Sequence, residues 1–340
     1  MKKILLIVFF NLGIAALSIQ SFSHEKISDW IQKPFQISAE EKRLKDWILY
    51  EKFILNMEIP KLEPFPQGNI SKNYLDQMLL TIVKNTPKVI ESNNNNIKIL
   101  NSINFISPEF KEIKALEIEA LSIQNQLMQV NIVDYYRQHK TTQSYLQEPV
   151  LKVSAKLQYL LQQSAIQNLN YLKVLSFKKD RRLKHIDPNQ LHDWIYYLEF
   201  HHQQNPRDPT WDTRKILQEM SSRTTYDDQL LLKTYQSQNF KTVHYQKIQK
   251  LNILAVQSNL SLFSDFSKPQ NIQQAAVQLK KLNQVLETNE FKDGMEITKK
   301  IGELEQQAHQ EMIQKLENSC KHPANTALPS DPISLNLVPT

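Results

Sequence analysis

The sequence predicts an all-α protein, and three observations lead to this class. Glycine is rare, with only 4 in 340 residues, whereas nucleotide-binding βαβ folds and all-β folds use glycine near phosphates, in turns and in bulges. Apolar residues recur at three- and four-residue spacing along most of the chain. Capping residues followed by proline or acids mark several helix starts. The glycine-rich nucleotide motifs are absent, so we expect no nucleotide ligand.

Residues 1–23 have the three parts of a secretory signal peptide. Lys2 and Lys3 provide the positive start, residues 4–17 form the apolar run, and residues 21–23 have the small-x-small pattern of a cleavage site. A run of about 14 residues is shorter than the roughly 20 that span a bilayer. We therefore expect export across the inner membrane to the periplasm or cell envelope. Retention as an uncleaved anchor is the alternative.

Helix-start signals define the first predicted unit, residues 24–176. Ser38 and Glu41 fit a capping box for the first helix. Ser107 followed by Pro108 starts a long helix, with the proline in the first turn. The first predicted helix starts at residue 39 and is ended by the prolines that begin at Pro60. Further helices are predicted from about 71 to Pro87 and over about 108–147 and 150–176.

Two features are expected to break helix inside this unit. Pro87 should interrupt or end the second helix, because proline lacks the N–H group and clashes with the preceding turn. The four consecutive asparagines at 93–96 are most simply a loop.

A short junction, residues 177–186, is predicted to lead into a second helical unit, residues 187–320. Asp187 followed by Pro188 again combines a capping residue with proline at the helix start. Residues 321–340 contain four prolines and no apolar periodicity, which predicts a Pro-rich flexible tail. Predicted helices of the second unit begin at 188 and cover about 211–237, 240–264, 270–290 and 295–319.

Two blocks recur about 150 residues apart and in the same order. Residues 46–53 read D-W-I-L-Y-E-K-F, and residues 193–200 read D-W-I-Y-Y-L-E-F. Residues 74–80 read Y-L-D-Q-M-L-L, and residues 226–232 read Y-D-D-Q-L-L-L. We interpret this as an internal duplication that gives two related helical-bundle units. Convergent amphipathic patterning is the alternative.

The repeated residues are mainly apolar and aromatic, so the repeat predicts a doubled scaffold. Its aromatic residues should be equivalent structural anchors, each burying a large ring between helices. Asp46 and Asp193, which precede the repeated tryptophans, are expected to be exposed or to cap helices rather than to catalyse. The predicted anchors are Trp47, Trp194, Tyr74 and Tyr226.

Four of the nine histidines lie in one stretch, at His185, His192, His201 and His202. Imidazole is a preferred ligand of Zn²⁺, particularly together with carboxylates. The spacing does not fit a common zinc motif, since neither H-E-x-x-H nor H-x-x-x-H occurs. We therefore expect no cofactor and no catalytic residue, and keep zinc bound at this stretch as the alternative.

A basic block at residues 173–184 concentrates the positive charge of a chain whose formal net charge is +6. Such a block binds anionic polymers or lipids, or is a solvated linker between domains. Because the chain is expected outside the cytoplasm, we expect lipopolysaccharide, polysaccharide, anionic lipid or an acidic protein face as its partner rather than nucleic acid. The candidate anion-binding residues are Lys173, Lys178, Lys179, Arg181, Arg182 and Lys184.

The single cysteine, Cys320, excludes an internal disulfide framework. It is either an incidental free thiol near a chain end or the site of an intermolecular disulfide.

These patterns favour a protein that acts through its surfaces rather than an enzyme. The first hypothesis is an exported envelope protein that binds another envelope protein, as an assembly factor, a secretion or conjugation accessory, or a scaffold. Its long helices offer coiled-coil-like faces to a partner helix. Two alternatives stay open. One is an all-α metal-dependent hydrolase using His185 to His202, and the other is a binder of anionic envelope polymer or lipid through residues 173–184.

Overall fold

The structure is a computed structural model. Of the described residues, 86% are helical and none is in a strand. The all-α prediction is therefore confirmed. The predicted signal segment, residues 1–23, and residues 322–340 of the predicted tail lie outside the described residues. The described residues are 38–64, 72–129, 148–204, 225–263, 281, 284–285 and 288–321.

Eight α-helices account for most of the described chain. A short 3-10 helix, Arg181–Leu183, lies between the fourth and the fifth. In chain order the α-helices are α1 Ala39–Leu55, α2 Lys72–Ser102, α3 Pro108–Gln129, α4 Glu148–Phe177, α5 Pro188–Gln204, α6 Thr225–Ser237, α7 Val243–Phe263 and α8 Asn289–Lys321. None of these helices combines the length and the apolar character needed to cross a membrane.

The predicted helix starts at Ser38 and Asp187 are confirmed by their hydrogen bonds. The Ser38 hydroxyl accepts from the Glu41 backbone nitrogen at 3.2 Å. The Asp187 carboxylate accepts from the backbone nitrogens of Asn189 and Gln190 at 2.7 and 3.0 Å. These bonds occupy N–H groups that have no partner within the helix.

Helix α2 corrects two expectations, because it continues through Pro87 and through the asparagines at 93–96. The asparagines are not a loop, and their surroundings explain why. Ser92, Asn93 and Asn96 are buried. Asn93 donates to the side chain of Asn125 on α3 at 2.9 Å. Polar side chains that find partners between helices stabilise this stretch despite its low helix propensity.

Two asparagines of α2 hold the segment that follows α1 by its backbone. Asn96 accepts from the Glu58 nitrogen at 2.8 Å and donates to the Glu58 oxygen at 3.0 Å. Asn85 makes the same two bonds to Glu63, at 2.7 and 3.0 Å. Eleven residues of helix and five residues of extended chain both span about 16 Å. The segment 58–63 therefore lies extended and antiparallel along α2.

One large core cluster contains residues from both predicted units. Trp47 of α1 and Trp194 of α5 are 2% and 1% exposed, and their ring centroids are 5.8 Å apart. The junction 177–186 also contributes to this core, because Leu183 and Ile186 are buried. It is therefore a folded turn rather than a solvated linker.

The second repeated block lies in α2 and α6, where Tyr74 and Tyr226 fall in helix. Their side chains are outside the described part of the structure. The predicted helix over 108–147 is described as far as Gln129, and the one predicted at 211–237 is described from Thr225 onward. The helix predicted at 270–290 lies almost entirely outside the described residues.

Candidate functional site

The first of two buried aspartates, Asp46, caps a helix to which it does not belong. Its side chain has no exposed surface. Its Oδ2 atom is 2.6 Å from both the backbone nitrogen and the hydroxyl of Ser107, and 3.0 Å from the backbone nitrogen of Ile106. Helix α3 begins at Pro108, so these donors lie at the start of a helix, where backbone N–H groups lack internal partners.

The second aspartate, Asp193, makes the same set of bonds. It also has no exposed surface. Its Oδ2 atom is 2.7 Å from the backbone nitrogen and the hydroxyl of Thr242, and 2.9 Å from the backbone nitrogen of Lys241. Helix α7 begins at Val243. We call each arrangement, an aspartate with its serine or threonine and the two backbone nitrogens, an aspartate clasp.

The clasps explain how two carboxylates are tolerated in the core. A buried charge is costly unless several donors surround it, and each aspartate receives two backbone and one hydroxyl donor. The positive end of the helix dipole favours the anion further. The sequence predicted that Asp46 and Asp193 are either exposed or cap helices. They cap helices, and they are fully buried.

Two phenol–carboxylate pairs lie near the clasps. The Tyr50 hydroxyl donates to Glu117 at 3.0 Å, and the Tyr197 hydroxyl donates to Glu305. Burial is the main cause that raises the pKa of both phenols well above the usual value. Burial also raises the pKa of both carboxyl groups, although the tyrosine hydrogen bonds oppose this shift.

A chain of hydrogen bonds joins the two tryptophans. The Trp47 indole donates to Glu51 at 2.8 Å, and the Trp194 indole donates to Nδ1 of His309 at 3.2 Å. Nε2 of His309 is 3.0 Å from the other oxygen of Glu51. Since Nδ1 accepts a hydrogen bond from the Trp194 indole, we assign the ring proton to Nε2, which donates to Glu51. The chain connects α1, α8 and α5.

The two aspartate clasps, the two phenol–carboxylate pairs and the hydrogen-bond chain between the tryptophans together form what we call the polar centre. Its bonds hold helices together. A catalytic acid or base must reach a substrate, whereas Asp46 and Asp193 are completely buried and bonded to backbone. The donors and acceptors of the centre bond mainly to one another. The polar centre therefore has a structural role, in which its hydrogen bonds connect helices.

Three of the four candidate zinc ligands lie on α5, and His185 lies just before it. His185 and His192 are on the exposed side, and Nδ1 of His192 is 3.2 Å from Asp193. His201 is largely buried, and burial together with the charge of His202 lowers its pKa to about 4. Within the described ranges, no three His, Cys, Asp or Glu side chains converge in a way that would hold a metal ion.

The predicted basic block divides into two parts. Lys173 pairs with Glu199 at 2.5 Å. Arg182 pairs with Asp180 at 2.8 Å and lies 3.4 Å from Glu41 on α1. Lys173 therefore links α4 to α5, and Arg182 links the turn to α1. The other four side chains, Lys178, Lys179, Arg181 and Lys184, are exposed.

Cys320 lies in the last turn of α8, where it packs against the core and is partly buried. Burial is the main cause that raises the pKa of its thiol to about 11. Because the thiolate is the reactive form, this cysteine is a poor nucleophile.

No family model, curated protein or solved structure matches this chain. Its function is therefore inferred from its own residues.

Sequence reasoning placed Ser107 at a helix start but did not connect it with Asp46, and it missed Thr242 and His309. A signal for Ser107 and Thr242 as equivalent residues was present. Residues 104–113 and 239–248 share the pattern N-F-x-[ST]-x-x-[FY]-x-x-I. His309 had no such signal, because its partners lie far away along the chain.

Proposed function

We propose that the protein is exported to the periplasm or cell envelope and acts there by binding another envelope protein through a helix face. The N-terminal signal pattern supports export. The observation that supports binding is an exposed apolar stripe on α2, formed by Leu80, Val83, Pro87 and Ile90, which we call the α2 stripe.

The α2 stripe has the spacing of a helix-packing seam. Leu80 and Val83 are 59% and 46% exposed. Pro87 is exposed and Ile90 is half-buried. The intervals of three, four and three residues follow a heptad repeat, whose apolar positions pack against a second helix. An amphipathic helix of the partner is therefore the occupant that fits this face.

Site-specific photo-cross-linking tests this binding. A photoreactive residue placed at Val83 should give an adduct of defined mass in intact envelopes, and Leu80→Lys should abolish it. The matched control places the same residue at Glu119, an exposed position on α3, and should give no such adduct. Identical adducts from both positions, or an adduct that survives Leu80→Lys, would contradict the proposed interface.

Export has its own test, which is independent of the stripe. Cell fractionation should place the protein outside the cytoplasm, and N-terminal sequencing should find the mature chain starting after Ser23. A cytoplasmic protein that retains Met1 would refute export.

We also propose that the two predicted units arose by internal duplication. Two observations support this beyond the sequence blocks. The clasps of Asp46 and Asp193 use the same atoms in the same order, and Trp47 packs against Trp194. An experimentally determined structure in which α1 and α3 failed to superpose on α5 and α7 would contradict it.

A further inference from the structure

The C-terminal end of α4 presents an apolar side chain to solvent. Phe177 is 89% exposed, more than any other large apolar side chain among the described residues. Val174, one turn earlier, is 45% exposed. Leaving a phenylalanine in water forgoes the free energy that its burial would provide.

The turn that follows Phe177 is fixed by backbone hydrogen bonds. The Asp180 nitrogen donates to the Leu175 oxygen, and the Lys179 nitrogen donates to the Ser176 oxygen, both at 3.0 Å. Lys179 has a positive φ of 49°, so the helix ends in a Schellman motif. Leu183, just beyond the turn, is buried in the core. The fold thus holds Phe177 in its exposed position.

Exposed cations follow this phenylalanine in the chain. The four exposed basic side chains of the block lie within seven residues of Phe177 along the chain. Two other cations of the block, Lys173 and Arg182, form ion pairs with Glu199 and Asp180. We call the exposed set the α4 tip. Its members are Val174, Phe177, Lys178, Lys179, Arg181 and Lys184.

We propose that the α4 tip docks the protein peripherally on an anionic lipid bilayer. Lysine and arginine side chains are attracted to anionic headgroups, and each contributes near the surface. An aromatic side chain enters the boundary between headgroups and acyl chains. A soluble anionic polysaccharide would satisfy the cations but offers no apolar phase for Phe177 and Val174. The combination therefore favours a bilayer.

Vesicle sedimentation with the full mature chain tests this docking. Binding is expected to vesicles that contain phosphatidylglycerol, to weaken as salt screens the charges, and to be absent from pure phosphatidylcholine. Phe177→Ala should lower the partition coefficient by about tenfold or more. Replacing the four exposed cations by glutamine should lower it about fivefold per charge. Circular dichroism establishes that each variant is folded.

Matched controls come from other exposed positions. Val243→Ala removes an apolar side chain that is 82% exposed on α7. Lys292→Gln, Lys299→Gln and Lys300→Gln together remove exposed charges from α8. Neither control should lower binding as the tip variants do.

A second measurement reports insertion directly. Phe177→Trp should gain fluorescence quenching by brominated phosphatidylglycerol relative to the wild type. Unchanged binding of Phe177→Ala, equal binding to phosphatidylcholine, or equal effects of the controls would overturn the proposal. Binding to dextran sulfate that matches binding to vesicles and ignores Phe177 would point to a polymer site instead. The tip and the α2 stripe use different residues, so each proposal can fail alone.

Discussion

Removing one aspartate clasp should destabilise the protein strongly, and the geometry predicts a graded series. The perturbations are Asp46→Ala and Asp46→Asn, with Asp193→Ala and Asp193→Asn as the matched pair. Asp187→Ala serves as a comparison, because Asp187 caps α5 with two N–H bonds at an exposed position.

The magnitude follows from how the donors are shared. Oδ2 of Asp46 accepts hydrogen bonds from all three donors. Oδ1 has one donor within hydrogen-bond distance, the Ile106 nitrogen at 3.1 Å. Alanine leaves three buried donors without an acceptor, each bond to a charged group being worth about 1.5–3 kcal/mol. The bonds share one oxygen and water relieves part of the loss, so we expect a total of about 4 kcal/mol.

Asparagine should cost less, because its amide oxygen replaces Oδ2 and keeps all three donors of Asp46. It loses the negative charge and brings an amide nitrogen close to the Ile106 nitrogen, which should cost about 1–2 kcal/mol. The exposed Asp187 cap should cost about 1 kcal/mol when changed to alanine.

Urea unfolding, followed by far-UV circular dichroism and by tryptophan fluorescence, measures these free energies. The expected order of destabilisation is Asp46→Ala above Asp46→Asn, with the same order for Asp193. An alanine variant that lost no more stability than Asp187→Ala would refute the reasoning, as would an asparagine variant less stable than its alanine counterpart.

Four further outcomes are expected. Lys179→Gly should stabilise the protein by about 1 kcal/mol in urea unfolding, because Lys179 has φ 49° and glycine carries no left-handed penalty; a loss of stability would contradict this. Cys320, whose thiol pKa is raised from 9.0 to about 11, should be alkylated about 100-fold more slowly than an exposed cysteine at neutral pH. It should approach the exposed rate only as the pH rises through that value, and a rate equal to that of an exposed thiol in the folded protein would be incompatible with its burial. Asn96→Ala should cost about 1–2 kcal/mol and speed limited proteolysis within residues 56–64, whereas Asn94→Ala, an exposed neighbour, should leave that cleavage rate unchanged. Lys52→Glu should destabilise because it faces the buried Glu317, and adding Glu317→Lys should restore stability; failure of the double variant to recover would argue against the pair.

The helices with clear start signals were predictable from sequence, because capping is local. Ser38, Ser107 and Asp187 each mark a helix whose first residues agree with the structure. The break at Pro87 was wrong, and so was the loop at 93–96, because their outcome depends on tertiary contacts. The asparagines become favourable in helix once Glu58 and Asn125 occupy their amides.

The polar centre was predictable only in part. The repeated Asp-Trp pair indicated that the aspartate caps a helix and that the tryptophan is buried, since both residues recur in the same register. The acceptor of the Trp194 indole was not predictable. Leu198 occupies the place that Glu51 holds in the first block, so the indole N–H needs an acceptor from elsewhere. Nδ1 of His309 supplies it from 115 residues away.

The two blocks also differ in charge, and this difference has a structural meaning under the proposed duplication. Lys52 in the first block corresponds to Glu199 in the second. Lys52 pairs with Glu317 of α8, and Glu199 pairs with Lys173 of α4. The two salt bridges thus have opposite polarity.

Under the proposed duplication, this reversal would favour pairing between the two units over pairing of either unit with its own copy. If each half associated with a second copy of itself, Lys52 would face Lys173 in one case, and Glu199 would face Glu317 in the other. Like charges at such positions disfavour the wrong pairing, which is how related helices commonly acquire specificity. Glu317 is almost fully buried, so a second carboxylate facing it would be costly. Under the proposed duplication, the repeated apolar residues would account for a doubled scaffold, and the residues that do not repeat would account for the pairing of the two units within one chain.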